Sequence, residues 1–314
     1  MAKYLVTGGA GFIGSHIVEA LLSRGDSVTA IDNFDAYYDV SLKRENIANA
    51  GKNKNFRLVE GDIRDQKKIS DAMNGVDVVI HEAAQPGVSI SVKDPLKTVD
   101  MNVVGTTSVL DAARKAGVKK IVFASSSSVY GKVEYLPFDE KHPINPISPY
   151  GVSKMACEHL CRVFSELYGI AIPQLRYFTV YGPRMRPDLA INIFTRKALK
   201  NEEIVVYGNG TKSRSFTYVS DVVDATLLAA EKGKTGPYNI GGEHRVTMNE
   251  LLGKIMKISK SKSKIAHKED VKGDVEHTMA KNDKAKAEFG WKPKVGIDEG
   301  LEKYVEWVKE RPGK

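Results

Sequence analysis

Thr7-Gly8-Gly9-Ala10-Gly11-Phe12-Ile13-Gly14-Ser15-His16 is the stretch on which the fold turns. It follows a short apolar run, residues 4–7, and opens a helical pattern over residues 12–24. Its glycines satisfy two spacings at once: G-x-x-G-x-x-G through Gly8, Gly11 and Gly14, and G-x-G-x-x-G through Gly9, Gly11 and Gly14. Without side chains, backbone N–H groups can approach a pyrophosphate closely, and the helix N-terminus behind them offers partial positive charge. The next apolar run, residues 27–31, ends at Asp32, 18 residues past Gly14. A carboxylate there suits a ribose 2′-hydroxyl and repels a 2′-phosphate, which selects NAD over NADP.

Outward from this loop the first half alternates apolar runs (4–7, 27–31, 56–59, 76–81, 120–125, 172–177) with helical patterns (12–24, 66–73, 98–116, 150–168). Apolar runs with no polar face, alternating with helices, predict an α/β fold with a Rossmann-type doubly wound parallel sheet. We expect an NAD-binding domain over residues 1–178, with segments near 215–240 returning to it. After residue 178 turns rich in Gly, Pro and Arg appear. Helices are then expected at 191–200, 220–231, 248–258 and 297–309, with strands at 204–207, 216–219 and 238–240. Residues 179–314 are expected to form a smaller α/β substrate-binding lobe.

With 314 residues, 42% of them hydrophobic, the chain can bury a large core. It has no apolar run of about 18 residues and no basic-then-apolar leader, so neither a membrane span nor a secretory signal is expected. The two cysteines, Cys157 and Cys161, lie four apart on one predicted helix, which argues against a disulfide framework and for a cytoplasmic protein. No cluster has metal-ligand spacing. The net charge is +8, with lysines thickest between Lys254 and Lys272 but no aromatics among them. That pattern reads as a solvated face rather than a nucleic-acid surface, and a positive field also attracts an anionic diphosphate.

Tyr150 and Lys154 lie i, i+4 on the predicted helix 150–168 and share a face. A free tyrosine, with a pKa near ~10, is a poor base at neutral pH. A neighbouring ammonium and a cationic nicotinamide ring favour the phenolate. Moving such a pKa down by about 3 units requires roughly 4 kcal/mol, within reach of two charges in a shielded cleft. About 20 residues earlier a strand ends in Ser125-Ser126-Ser127-Ser128, at the carboxyl edge where parallel sheets bind ligands. A hydroxyl there can bond a reacting oxygen and relay its proton to Tyr150. The residues alone leave open which serine acts.

These features together resemble the extended short-chain dehydrogenase/reductase family, and within it the UDP-sugar 4-epimerases. The resemblance runs through the glycine loop, Asp32-Asn33, Gly61-Asp62-Ile63-Arg64-Asp65, His81-Glu82-Ala83-Ala84-Gln85, the serine run, Tyr150/Lys154, 176–183 and 214–221. It implies Ser126 as the catalytic hydroxyl, Tyr150 as the base and Lys154 as its partner. It implies cofactor contacts from Gly8, Gly11, Phe12, Ile13, Gly14, Asp32, Asn33, Lys43, Ala83, Ala84, Gln85, Asn102, Ser125, Tyr150, Lys154 and Tyr177. Asp62 and Ile63 would lie at the adenine, and Arg214 would pair with a UDP diphosphate. It further implies transient oxidation of sugar carbon 4 with NAD regenerated each cycle. A homodimer is implied too, through helices near 100–115 and 150–168.

Dehydratases of the family carry an Asp-Glu pair after the catalytic Thr, and decarboxylases usually carry Glu at the position of Ser128. Ser127 and Ser128 stand there instead, which favours epimerisation. For the sugar, Thr179 replaces the Asn typical of UDP-galactose epimerases, while Arg186-Pro187-Asp188, Tyr37-Tyr38-Asp39 and Leu42-Lys43 resemble UDP-glucuronate epimerases. Ser127, Thr179 and Arg186, alongside Ser126 and Tyr150, are therefore expected at the substrate, the first three holding a carboxylate at carbon 6. Arg186 could instead face the diphosphate or a carboxylate of the protein. UDP-glucose/UDP-galactose remains the alternative pair, and a non-catalytic NAD-binding regulator the alternative class. Lys272 is a further diphosphate candidate. His81, His16, Tyr37, Tyr38, Tyr130 and Tyr181 read as strand-end, core or cleft-lining residues.

Overall fold

A computed structural model describes residues 1–269 and 275–311. Strands β1 (Lys3–Thr7), β2 (Ser27–Asp32), β3 (Phe56–Glu60), β4 (Val78–His81), β5 (Lys120–Ser126) and β6 (Pro173–Tyr177) join a strand at Gly236–Ile240. They form one parallel sheet in the order Gly236–Ile240, β6, β5, β4, β1, β2, β3. The two-residue period of a strand explains its double burial. Tyr4 and Val6 pack with Ile80 and Val122 on one face, and Leu5 packs with Val79 and Ile121 on the other. Helices Phe12–Ser23 and Val219–Lys232 cover the first face. Helices Gln66–Ala72, Gly105–Ala116 and Pro149–Tyr168 cover the second.

The order in which successive strands are laid down reverses at β1, which lies between β4 and β2. Ligands bind beyond the carboxyl ends of the strands at such a reversal. Register sets those ends level: Thr7 is opposite both Ile31 and His81, and Ser126 is opposite Tyr177.

A second core gathers Tyr181, Met185, Phe194, Leu251, Leu301 and Tyr304, from a loop and the helices Ala190–Lys200, Met248–Ser259 and Ile297–Lys309. Helix Met248–Ser259 begins with a reciprocal capping box between Thr247 and Glu250. Lys254, in the lysine-rich stretch, pairs with Asp298 at 2.6 Å. Lys272-Gly273-Asp274 lies outside the described residues. Among the described residues no helix is long and apolar enough to cross a membrane.

The structure departs from the sequence pattern in several places. The helix expected over 98–116 is broken into Pro95–Val99, a π-helical turn at Asp100–Val104 and Gly105–Ala116. The turn has a use: the Asn102 amide accepts from Gln85 N at 2.7 Å and donates to Ser153 Oγ at 2.9 Å. The strand expected at 216–219 shortens to Thr217–Tyr218, with the next helix starting at Val219, and a separate strand, Ser213–Ser215, precedes it. Helices Val40–Ala48 and Asp283–Phe289 were not signalled by periodicity, the first being short and weakly amphipathic. The second carries Ala285 and Phe289, with Trp291 just beyond, into the first core rather than the second.

Candidate active site

A cleft of about 490 Å³ opens along the carboxyl edge of the sheet, between it and the second core. Its first wall is the glycine loop. Gly8 has φ +67°, and a Cβ there would come within 2.9 Å of Ala83. A Cβ on Gly9 would come within 2.6 Å of Ala30, and one on Gly14 would overlap the Gly8 carbonyl. The loop thus closes on itself and on β4 with no room for side chains, leaving the N-terminus of helix Phe12–Ser23 facing the cleft. Asp32 is buried at the end of β2, its oxygens accepting from Ala10 N at 3.1 Å and Phe34 N at 2.8 Å. Lys43 donates to Asp35 O at 3.0 Å and stands over the Tyr38 ring, whose phenol burial pushes up to about 12. The bare glycine loop, the helix end and the carboxylate on the next strand fit a dinucleotide.

Nearly every residue expected from the sequence meets in this cleft. Gly8, Gly11, Phe12, Ile13, Gly14, Asp32, Asn33 and Lys43 line one end with Ile63. Ala83, Ala84, Gln85, Ser125, Ser126, Tyr150, Lys154 and Tyr177 line the middle. Ser127, Thr179, Arg186 and Arg214 line the other end. Asp62 and Asn102 are not on the wall. Asp62 accepts from Arg64 Nε at 2.8 Å, Arg64 Nη2 at 2.7 Å and Asn33 Nδ2 at 3.0 Å, and the Arg64 guanidinium holds its carboxyl down at about 2. Asn102 acts from behind, bracing the main chain of Gln85. The Gln85 side-chain nitrogen is buried on the wall and has no hydrogen-bond partner among the described residues. An orphan donor of this kind waits for a ligand acceptor.

Ser148 caps the helix Pro149–Tyr168 by accepting from Gly151 N at 3.1 Å, and Pro149 fills the first turn. Tyr150 is therefore set in the first turn, partly open to the cleft, and Lys154 one turn deeper and buried. Lys154 Nζ donates to Ala124 O on β5 at 2.6 Å. The serines divide their work. Ser125 Oγ donates to Glu158 Oε1 at 2.6 Å and is spent on structure. Ser126 ends the strand, and its Oγ accepts from Ser128 N at 3.1 Å. Glu158 also receives Arg176 Nε at 2.9 Å and Nη2 at 2.7 Å, a buried ion pair that ties helix Pro149–Tyr168 to β6.

Arg186 meets Asp188 through two contacts, Nε to Oδ1 at 2.9 Å and Nη2 to Oδ2 at 3.0 Å, and Tyr37 donates to the same carboxylate at 2.9 Å. Arg214 donates to the carbonyls of Ser213 and Glu276 at 2.9 and 3.0 Å. His81 is held between Thr7 Oγ1 at 2.7 Å and Thr106 Oγ1 at 3.0 Å, and burial pushes its imidazole down to about 3, so it stays neutral. His16 meets Pro183 O at 3.0 Å. Tyr37 and Tyr38 line the cleft, while Tyr130 and Tyr181 are wholly buried.

Two polar wall residues, Thr278 and Glu82, had no role assigned from the sequence. Thr278 presents a buried hydroxyl with no hydrogen-bond partner among the described residues, and nothing in the local sequence signals it. Glu82 follows directly on the apolar strand and lies within the family motif, which marks it as a place to look.

The family model described as GDP-mannose 4,6 dehydratase matches residues 5–304. The chain belongs to that family. It is 36% identical over 314 residues to a UDP-glucuronate 4-epimerase of Thermodesulfobacterium geofontis, covering 99% of this chain and 97% of the relative. The UDP-glucuronic acid 4-epimerase of Bacillus cereus, solved with UDP-glucuronic acid and NAD, superposes with a TM-score of 0.94 at 36% identity, covering 98% of this chain and 99% of that one. The UDP-glucose 4-epimerase of Thermotoga maritima, solved with UDP-glucose, gives a TM-score of 0.92 at 36% identity over the same shares.

Proposed function

We propose that this protein is an NAD-dependent UDP-sugar 4-epimerase whose preferred pair is UDP-glucuronate and UDP-galacturonate. The observation that carries the reading is the cleft itself. Ser126, Tyr150 and Lys154 line one wall at the end of β5, and Ser127 and Ser128, which cannot act as acids, follow at once. Proton relay to an alcohol is provided for; elimination of a hydroxyl is not.

In this reading Tyr150 takes the proton of the sugar 4-hydroxyl, Ser126 hydrogen-bonds the same oxygen, and Lys154 holds its charge beneath Tyr150 from its anchor on Ala124. NAD, when bound, supplies a site that accepts the hydride of sugar carbon 4 and gives it back. The sugar turns over in the cleft between the two transfers, and Tyr150 returns the proton to the opposite face. Arg214 holds the diphosphate while the sugar turns. Ser127, Thr179 and Arg186 surround the carbon-6 end, where two hydroxyls and a guanidinium suit a carboxylate.

The domain boundary falls near residue 178, with the sheet strand Gly236–Ile240 returning to the NAD-binding half. We also infer a homodimer. Leu96 is 82% exposed and Leu167 67%, and Val104, Val152, Val163 and Tyr168 are open beside them on the same two helical segments. Apolar surface of this kind is covered in assemblies. Free, buried Cys157 and Cys161 suit a reducing cytoplasm.

Incubation of the purified protein with UDP-glucuronate, UDP-galacturonate, UDP-glucose and UDP-galactose, each alone, tests the reading. Interconversion of the uronate pair, faster than the hexose pair, is expected. No conversion of any would overturn the enzymatic reading, and conversion of the hexose pair alone would overturn the carboxylate site.

A further inference from the structure

Glu82 stands at the carboxyl end of β4, partly buried on the cleft wall. Its Oε1 lies 2.8 Å from Tyr177 Oη. Tyr177 Oη lies 2.8 Å from Thr226 Oγ1, and Thr226 Oγ1 donates to Val222 O one turn back in its helix at 2.8 Å. The chain has three close oxygen pairs and needs three hydrogens, but the two hydroxyls own only one each. A protonated Glu82 supplies the third. It donates to Tyr177, Tyr177 donates to Thr226, and Thr226 donates to the helix carbonyl. With an ionised Glu82, Tyr177 donates to the carboxylate instead, and the single Thr226 hydrogen is left to serve both Tyr177 Oη and Val222 O.

The groups that face Glu82 are Tyr177 from β6, Thr226 from helix Val219–Lys232 and Lys154 from helix Pro149–Tyr168. Lys154 is the charged group among the described residues that acts on it. His81, its neighbour on β4, is occupied by Thr7 and Thr106 and is neutral. Burial pushes the Glu82 carboxyl up to about 7, the Lys154 charge offsetting only part of that cost. The glycine loop and Asp32 fix the pyrophosphate and adenosine end of the cleft, so the reacting part lies in its middle, at Tyr150, Lys154 and Tyr177.

We propose that Glu82 is a positioning residue of the hydride-transfer site: it carries its proton through Tyr177 and Thr226 in the resting enzyme and, on giving it up to solvent, places a negative charge that favours the oxidised over the reduced dinucleotide. The inference rests on the NAD reading above. The nicotinamide ring is cationic when oxidised and neutral when reduced, so a carboxylate beside it discriminates between the two and a carboxylic acid does not. By linkage, a proton on Glu82 and a hydride on the dinucleotide favour each other.

The test equilibrates the holoenzyme with an equimolar excess of NAD and NADH, removes unbound nucleotide and determines the oxidised-to-reduced ratio that stays bound. Between about pH 6 and about pH 8 the wild-type ratio is expected to rise by up to about tenfold, the equivalent of a one-unit linkage. Measured in a Tyr150→Phe background, so that the base itself adds no pH dependence, the ratio is expected to stay flat in Glu82→Gln, which keeps a neutral donor to Tyr177. A flat wild-type ratio, or the same rise in Glu82→Gln, overturns the proposal while leaving the NAD reading intact; failure to bind either nucleotide overturns both. If Glu82→Gln does not fold, the wild-type protein decides alone. Its infrared spectrum should hold a protonated-carboxyl stretch that disappears through neutral pH, and a carboxylate already ionised at about pH 6 overturns the proposal.

Discussion

Lys154 Nζ and the carbonyl oxygen of Ala124 are 2.6 Å apart, so the helix bearing Tyr150 is pinned to the strand whose end bears Ser126. The lysine does two things through one contact. It brings a charge under the base, and it fixes the distance between base and strand end. Lys154→Met should therefore lower turnover by about 10²-fold or more and also weaken NAD retention, because pin and charge go together. Turnover and the nucleotide content of the purified variant are the measurements.

Tyr150→Phe separates chemistry from architecture. Among the described residues the phenol hydroxyl makes no hydrogen bond, whereas its helix is held by Ser148, Glu158 and Lys154. The variant should keep its thermal midpoint and bound NAD and lose about 10²–10⁴-fold in turnover. Unchanged turnover would remove Tyr150 from the mechanism.

The buried pair Arg176–Glu158 makes the strongest stability prediction. Both side chains are almost wholly buried, and Glu158 also satisfies Ser125. Glu158→Ala leaves a buried guanidinium uncompensated, and the expected loss is about 3–5 kcal/mol in urea unfolding. Arg114→Ala, by contrast, breaks a solvent-exposed i, i+3 pair with Asp111 and should cost under about 1 kcal/mol.

Much of this site was legible because each part has a local signature. The glycine loop needs bare backbone, Asp32 must follow the second strand, and Tyr150 and Lys154 need helical spacing. Other parts carry no such signature. Asn102 was expected to line the cofactor, and only the π-turn reveals that it lies behind the wall and braces Gln85. Trp291 lies far along the chain, yet its indole donates to Asp221 O at 2.9 Å within the first core, a long-range contact that periodicity cannot report. Arg186 was expected at a ligand carboxylate. The structure shows it held by one of the protein's own, Asp188, two residues on.

That pairing bears on sugar choice. Arg186 lies on the cleft wall paired with Asp188, a carboxylate that Tyr37 also holds, so a substrate carboxylate has to share or displace that partner. Arg186→Met should lower kcat/KM for UDP-glucuronate by about tenfold or more, the value of a charge-assisted contact. UDP-glucose, with no carboxylate, should change by less than about threefold. Equal losses for both sugars would place Arg186 at the shared diphosphate instead.

His81 and Glu82 adjoin on β4 and predict opposite responses of stability to pH. The His81 imidazole is pushed down to about 3, so the unfolded chain binds a proton that the folded one refuses. Its contribution is present above the ordinary histidine range and is lost as pH falls from about 6.5 toward 3. The Glu82 carboxyl is pushed up to about 7, so the folded chain keeps a proton that the unfolded one releases. Its contribution is present below about 4.5 and is lost as pH rises through 7. Glu82→Gln removes the second response only. Relative to wild type, its thermal midpoint should gain between about pH 5 and about pH 8, while the acid side, governed by His81, keeps its slope. Equal slopes for the two proteins on the alkaline side would show that Glu82 is ionised in the fold throughout that range.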